Sequence, residues 1–219
     1  MIKYVILALY LIVSAIHLYH SWLDDARHRA MTKPFLLLLL AAYYIAAAGE
    51  MSWFLLLALL TSWLGDVLLI PKGHKWFTMG GISFLASHIF FVAVYFPAVR
   101  FASVPLALVA GTAIVYVGIS LAIIWAVHKT TPKPMVVPMY LYLVANSTMN
   151  LFAMMRMFTM GTPGSIVAYV GALLFFISDC TLFLVRYYGK KDVIFKRHFT
   201  VMLAYLAGEM LIVMGILMN

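Results

Sequence analysis

Asp66 and Asp179 both lie inside long apolar runs of the chain. An ionisable group is expensive to bury in hydrocarbon, so one kept there is a functional candidate. One member of a buried carboxyl pair can keep its proton near neutral pH while the other stays charged, which is the division that general acid–base chemistry needs. His88 and Glu209 also fall in the middle of apolar runs. Tyr142, Asn146 and Asn150 are spaced four apart and share one helix face, and Tyr205 and Glu209 do the same. Asn, Tyr and His at such depths also act as hydrogen-bonding glue between helices, and for His88, Asn146 and Asn150 that reading stands level with a binding role. For the two aspartates it is weaker, because nothing structural requires so costly a group there.

The elements that must carry these residues follow from composition. With 66% hydrophobic and 10% charged residues over 219 positions, the chain lies far from the globular norm of roughly half apolar and a quarter charged. Apolar runs near 20 residues recur between short polar breaks, the length that crosses roughly 30 Å of hydrocarbon. At such lengths only helices satisfy their own backbone in lipid. The pattern predicts an all-α, polytopic membrane helical bundle of about eight transmembrane helices, forming a single integral-membrane domain over 1–219. The helices are expected near 2–20, 35–49, 51–71, 77–96, 104–127, 136–157, 164–187 and 199–217, the second being short. Lys33-Pro34, Gly49, Pro71 with Gly73, Pro132 and Pro134, and Gly161 to Gly164 mark the breaks.

Basic residues orient the bundle. Arg27, Arg29, Lys33, Lys72, Lys75, Lys129, Lys133, Arg186, Lys190, Lys191, Lys196 and Arg197 fall in the odd-numbered connections, leaving Lys3, Arg100 and Arg156 elsewhere. The positive-inside bias then puts the odd connections in the cytoplasm and both termini on the non-cytoplasmic side. The net charge of +8 reads as topology and contact with anionic headgroups rather than nucleic-acid binding. The lone Cys180 excludes an intrachain disulfide. In this orientation Asp66 lies about 7 Å and Asp179 about 10 Å above the cytoplasmic ends of their helices, at 1.5 Å per residue. Compactness favours a bacterial inner (cell) membrane, with the endoplasmic reticulum as the eukaryotic equivalent.

A faint internal repeat runs through Thr32-Lys33-Pro34, Gly65-Asp66, Phe77-Thr78 and His88, and again through Pro132-Lys133-Pro134, Ser178-Asp179, Phe199-Thr200 and Glu209. Four helices per unit would give a parallel two-fold pseudo-repeat, 1–4 and 5–8, with the aspartates at similar depth. His17, His20, Asp24 and His28 step along one side of the first helix at intervals of three and four, a spacing compatible with zinc. A solvated helix end explains them without an ion, and no metal is expected.

Several segments together resemble the YhhN-like lysoplasmalogenases. They are Lys33-Pro34 opening a Leu-rich helix, Leu64-Gly65-Asp66-Val67-Leu68-Leu69, Phe77 through Gly80 and Phe84 to His88, Gly171-Ala172-Leu173-Leu174-Phe175 running into Ile177-Ser178-Asp179, and Tyr205 with a polar residue at 209. The resemblance implies hydrolysis of the vinyl-ether bond of lysoplasmalogen to a fatty aldehyde and glycerophosphoethanolamine or glycerophosphocholine, with Asp66 and Asp179 catalytic. Neither metal nor organic cofactor is expected. The implied partners are a lysophospholipid substrate and membrane lipid. The substrate's phosphate would lie near Lys33, Arg186 or the basic seventh connection, since a phosphate favours Lys and Arg, with His88, Tyr142, Asn146, Asn150, Tyr205 and Glu209 lining the site. A lipid or small-molecule transporter or flippase is the alternative, since it too places polar groups at mid-depth, but it favours Gly- or Pro-interrupted helices. An intramembrane aspartyl protease fits less well, because Trp63-Leu64 stands where its Gly-x-Gly-Asp element would begin.

Overall fold

The computed structural model describes residues 1–189 and 193–219, so Lys190 and Lys191 of the seventh connection lie outside the described residues. Every regular element among the described residues is helical: α1 (Ile2–Trp22), α2 (Ala26–Ala47), α3 (Trp53–Leu68), α4 (His74–Tyr95), α5 (Leu106–Val127), α6 (Lys133–Met160), α7 (Pro163–Tyr187) and α8 (Arg197–Leu217). Two 3₁₀ turns, Phe96–Ala98 and Phe101–Ser103, join α4 to α5. Among the described residues seven helices are long and apolar enough to cross a membrane, which makes this a polytopic helical bundle. The eighth, α3, has 16 residues and extends about 24 Å.

The short helix is therefore the third and not the second. Lys33-Pro34 does not open α2; the helix begins seven residues earlier, at Ala26, and carries Pro34 in its interior. The cause is Asp25, whose Oδ1 accepts from the backbone N–H groups of Arg27 (3.1 Å) and His28 (3.2 Å). These are two of the donors that a helix start leaves unpaired. The His28 amide, and then the His28 ring, hold the Asp25 carboxyl below its usual range. The cap is thus ionised at neutral pH, and its contribution is lost only as pH falls through that depressed value. Similarly α6 starts at Lys133 with Pro134 in its first turn, where a missing N–H costs nothing, and continues through Pro138.

The turn between α1 and α2 also breaks the expected histidine stripe. Asp24 adopts a left-handed backbone, φ 56°, so the chain reverses and helical spacing ceases to apply. Asp24 pairs with Arg29 at 3.2 Å. His17 is buried with its Nδ1 2.7 Å from Thr32 Oγ1. The Thr32 hydroxyl already donates to the His28 and Arg29 carbonyls, so the His17 ring is the donor. The set His17, His20, Asp24 and His28 does not assemble.

The chain divides into two compact units, residues 1–91 and 92–219. In the first, α1 packs on α2 and α2 on α3, while α3 meets α4 through Ser62 and Ser87 hydroxyls 2.7 Å apart and through Ser83, which donates to the Thr61 carbonyl. In the second, α7 is the hub, touching α5, α6 and α8. Its contact with α8 depends on glycines. A Cβ on Gly171 would lie 2.6 Å from the Gly208 carbonyl oxygen, and one on Gly215 would lie 2.4 Å from the Ala168 nitrogen. Small residues bring two backbones together this closely, and dispersion between them replaces the hydrophobic drive that lipid does not supply.

Candidate functional site

In the first unit, Asp66 stands on the last turn of α3, 2% exposed, with its Oδ1 3.1 Å from Lys33 Nζ. The Lys33 side chain is itself only 16% exposed, so the pair is shielded from water and strongly coupled. Two features hold this geometry. The Trp63 indole N–H donates to the Pro34 carbonyl at 2.8 Å, tying the turn of α3 that carries Asp66 to the turn of α2 that carries Lys33. Gly65 lets the Phe84 ring lie directly on α3, since a Cβ there would meet that ring at 2.6 Å. His88 is fully buried on α4, its ring Nδ1 2.7 Å from the Phe84 carbonyl of its own helix. That nitrogen is therefore the protonated one.

In the second unit, Asp179 is buried on α7, and the Asn146 amide of α6 donates to its Oδ2 at 2.7 Å. Asn146 is in turn held by Asn150, whose amide donates to the Asn146 side-chain oxygen (3.0 Å) and backbone carbonyl (3.1 Å). The Tyr116 hydroxyl reaches Asn150 Oδ1 at 3.5 Å and the Tyr169 hydroxyl at 3.2 Å. Asp179 thus joins a polar chain that crosses α6 and reaches α5 and α7. Tyr116 and Tyr169 also line an apolar groove of about 590 Å³ between α5 and α7, with Thr112, Leu173, Phe176 and Cys180. A deep carboxylate and a ladder of amides and hydroxyls together can relay a proton, and the neighbouring apolar groove has the volume of an alkyl chain.

These helices and buried ionisable groups define a polytopic membrane protein with polar sites built at depth. More particularly, the chain belongs to the YhhN family, whose family model matches residues 28–216. Comparison with curated proteins and with solved structures finds no match.

The remaining expected residues have definite places. Tyr142 stands edge-on to Phe183 (5.5 Å between ring centres), and Tyr205 stands edge-on to Phe175 (5.4 Å). Glu209 is fully buried on α8. Arg186 is exposed in the last turn of α7, over the Tyr187 ring. The structure therefore brings Lys33 to Asp66, and Asn146 and Asn150 to Asp179. Two residues that the sequence did not single out, Tyr116 and Tyr169, also belong to these polar networks. Tyr116 and Tyr169 carry no signal, since Tyr in an apolar helix is ordinary. Arg156 did carry one, but a helix expected to end at 157 puts it at the interface, whereas α6 runs to Met160. Arg156 is instead buried, with its guanidinium 6.0 Å from the Tyr95 ring, and Tyr95 interacts electrostatically with both Arg156 and Glu209.

Asn146→Ala tests the amide ladder. It removes the donor to Asp179 and a partner of Asn150, and unfolding free energy should fall by about 1–3 kcal/mol, the cost of leaving buried polar groups unsatisfied. Denaturant titration in micelles would measure it, and a loss below about 0.5 kcal/mol would mean the ladder is replaceable.

Proposed function

We propose that this YhhN-family chain is a lysoplasmalogenase-type ether hydrolase that cleaves a vinyl-ether bond, with Asp66 and Asp179 as its catalytic residues. The observation that supports this most directly is Asp179 itself, buried, held by Asn146 and joined through Asn150 and Tyr116 to a groove that fits an alkyl chain. A vinyl ether is cleaved when an acid protonates its β-carbon, giving an oxocarbenium ion. Water then adds at the α-carbon, its proton passes to a base, and the hemiacetal collapses to an aldehyde and an alcohol. One carboxylic acid and one carboxylate suffice, the latter orienting water and stabilising the cation. In this reading Asp66, ion-paired to Lys33, is the carboxylate and Asp179 is the acid. The substrate would enter from the cytoplasmic leaflet, with its phosphate toward a basic residue, Lys33 or Arg186.

Incubation of purified protein in micelles with lysoplasmalogen should release free fatty aldehyde without added cofactor. Movement of intact lysolipid across a vesicle wall with no aldehyde formed would favour the transporter or flippase instead. The ion pair also decides what Lys33→Ala should do. If Lys33 only held phosphate, KM would rise alone, because ground state and transition state would lose the same contact. Because it also faces Asp66 at 3.1 Å, kcat should fall about tenfold or more as well, and an unchanged kcat would remove Lys33 from the site. The proposed orientation has its own test. An impermeant label at either terminus should react only from the non-cytoplasmic side, and cytoplasmic labelling would reverse the topology.

A further inference from the structure

We propose that His20, Asp25 and His28 form a binding site for a divalent transition-metal ion of the zinc type, clasping the turn between α1 and α2. His20 lies on the last turn of α1, Asp25 caps α2 and His28 stands on the first turn of α2. One donor atom from each residue lies within 4.8 Å of the other two. Asp25 Oδ2 is 2.5 Å from His28 Nδ1 and 3.5 Å from His20 Nδ1, and tetrahedral zinc with bonds of 2.0–2.1 Å needs ligand atoms about 3.3 Å apart. The two imidazoles stack at 4.5 Å with their planes 12° apart, so both Nδ1 atoms already face one carboxylate oxygen. Small side-chain rotations complete the set, with water as the fourth ligand.

A simple hydrogen-bonded cap accounts for part of this arrangement but not for all of it. Asp25 Oδ1 serves the backbone N–H groups of α2 and Oδ2 serves His28. That leaves His20 Nδ1, which is shielded from solvent and makes no hydrogen bond. A metal ion would give this nitrogen a bond in place of its 3.5 Å contact with Asp25 Oδ2, with the proton of each ring held on Nε2, as ligation through Nδ1 requires. Charge does not forbid it. Arg29 is answered by Asp24 at 3.2 Å, and Asp25 is ionised, leaving Arg27 as the near cation that opposes binding. His20 and Asp25 precede residues 28–216, the part matched by the family, so family membership does not explain them. The ion would pin α1 to α2 one to two turns from Lys33, and this inference stands independently of the proposed reaction.

The test uses the untagged full chain in micelles, with Co²⁺ as a spectroscopic probe and Zn²⁺ in competition. The expected result is one equivalent of Co²⁺ per chain with visible ligand-field absorption, displaced by Zn²⁺. His20→Ala, His28→Ala and Asp25→Asn should each weaken binding at least about 100-fold, since even outer partners of a metal site cost 10–100-fold. Asn caps a helix as well as Asp, so Asp25→Asn keeps the fold and loses only a ligand. Zn²⁺ should raise the melting temperature of the native chain and not that of Asp25→Asn. No saturable one-equivalent binding, or binding unchanged in His20→Ala or in Asp25→Asn, would overturn the proposal.

Discussion

Asp179→Asn is expected to cut turnover of lysoplasmalogen at least about 10²-fold, the low end for losing a general acid or base, or about 2.7 kcal/mol on the barrier. The substitution keeps the size of the side chain and an oxygen that can accept from Asn146, so the contact at 2.7 Å has a successor and folding should be nearly intact. Asp66→Asn should cost as much turnover for a different reason. It removes the charge facing Lys33 and leaves an ammonium that is only 16% exposed beside an amide oxygen. Stability should therefore fall too, as it does when one member of a buried pair is lost, and Lys33→Met in the same chain should recover the stability but not the activity. The double variant Asp66→Asn/Asp179→Asn should be little worse than the poorer single one, because groups that act as a unit are non-additive. Aldehyde release under single-turnover conditions measures all three. If both single variants kept a tenth of normal turnover, the aspartates would be structural and the acid-catalysed reading would fail.

The second large effect concerns packing rather than chemistry. Gly215→Ala places a methyl group 2.4 Å from the Ala168 nitrogen and 2.5 Å from the Gly164 oxygen. Those are backbone atoms, with no rotamer by which to escape. The helices must separate, and unfolding free energy should fall by about 3 kcal/mol, the upper end for overpacking a close-packed interior. Gly208→Ala meets the Gly171 oxygen and the Phe175 nitrogen at 2.9 Å and should be somewhat milder. Gly111→Ala on α5 is the control, since a Cβ there meets nothing within 4 Å and Ala suits a helix interior better than Gly. Unfolding in mixed SDS micelles would rank the three. If Gly215→Ala were as stable as Gly111→Ala, the close approach of α7 and α8 would carry no weight.

The number and rough span of the helices were legible in the sequence because hydrocarbon thickness sets the length of an apolar run. The α2 boundary was not, since a cap is a single side chain, and Asp25 sits among charges that read equally well as a solvated end. Asp66 and Asp179 stood out because an ion in an apolar run is conspicuous at any register. Their partners were less visible. The spacing of Asn146 and Asn150 shows a shared face, but which carboxylate that face meets depends on how α6 packs on α7. The histidine stripe failed for a sharper reason. Counting by threes and fours assumes one continuous helix, and the left-handed residue Asp24 ends that helix between His20 and His28. The reversal exchanges Asp24 for Asp25 as the residue facing the imidazoles.

The length of α3 bears on how water reaches a carboxylate in an oily environment. A rod of about 24 Å set in a film of about 30 Å cannot present both ends to the aqueous phases unless the film thins around it or headgroups dip toward its ends. Asp66 is two residues from the C-terminal end of that rod. The dimple that accommodates the short helix would therefore form beside the carboxylate proposed to orient water, and hydration would be drawn inward at that place while the seven longer helices keep the rest of the bilayer at full thickness.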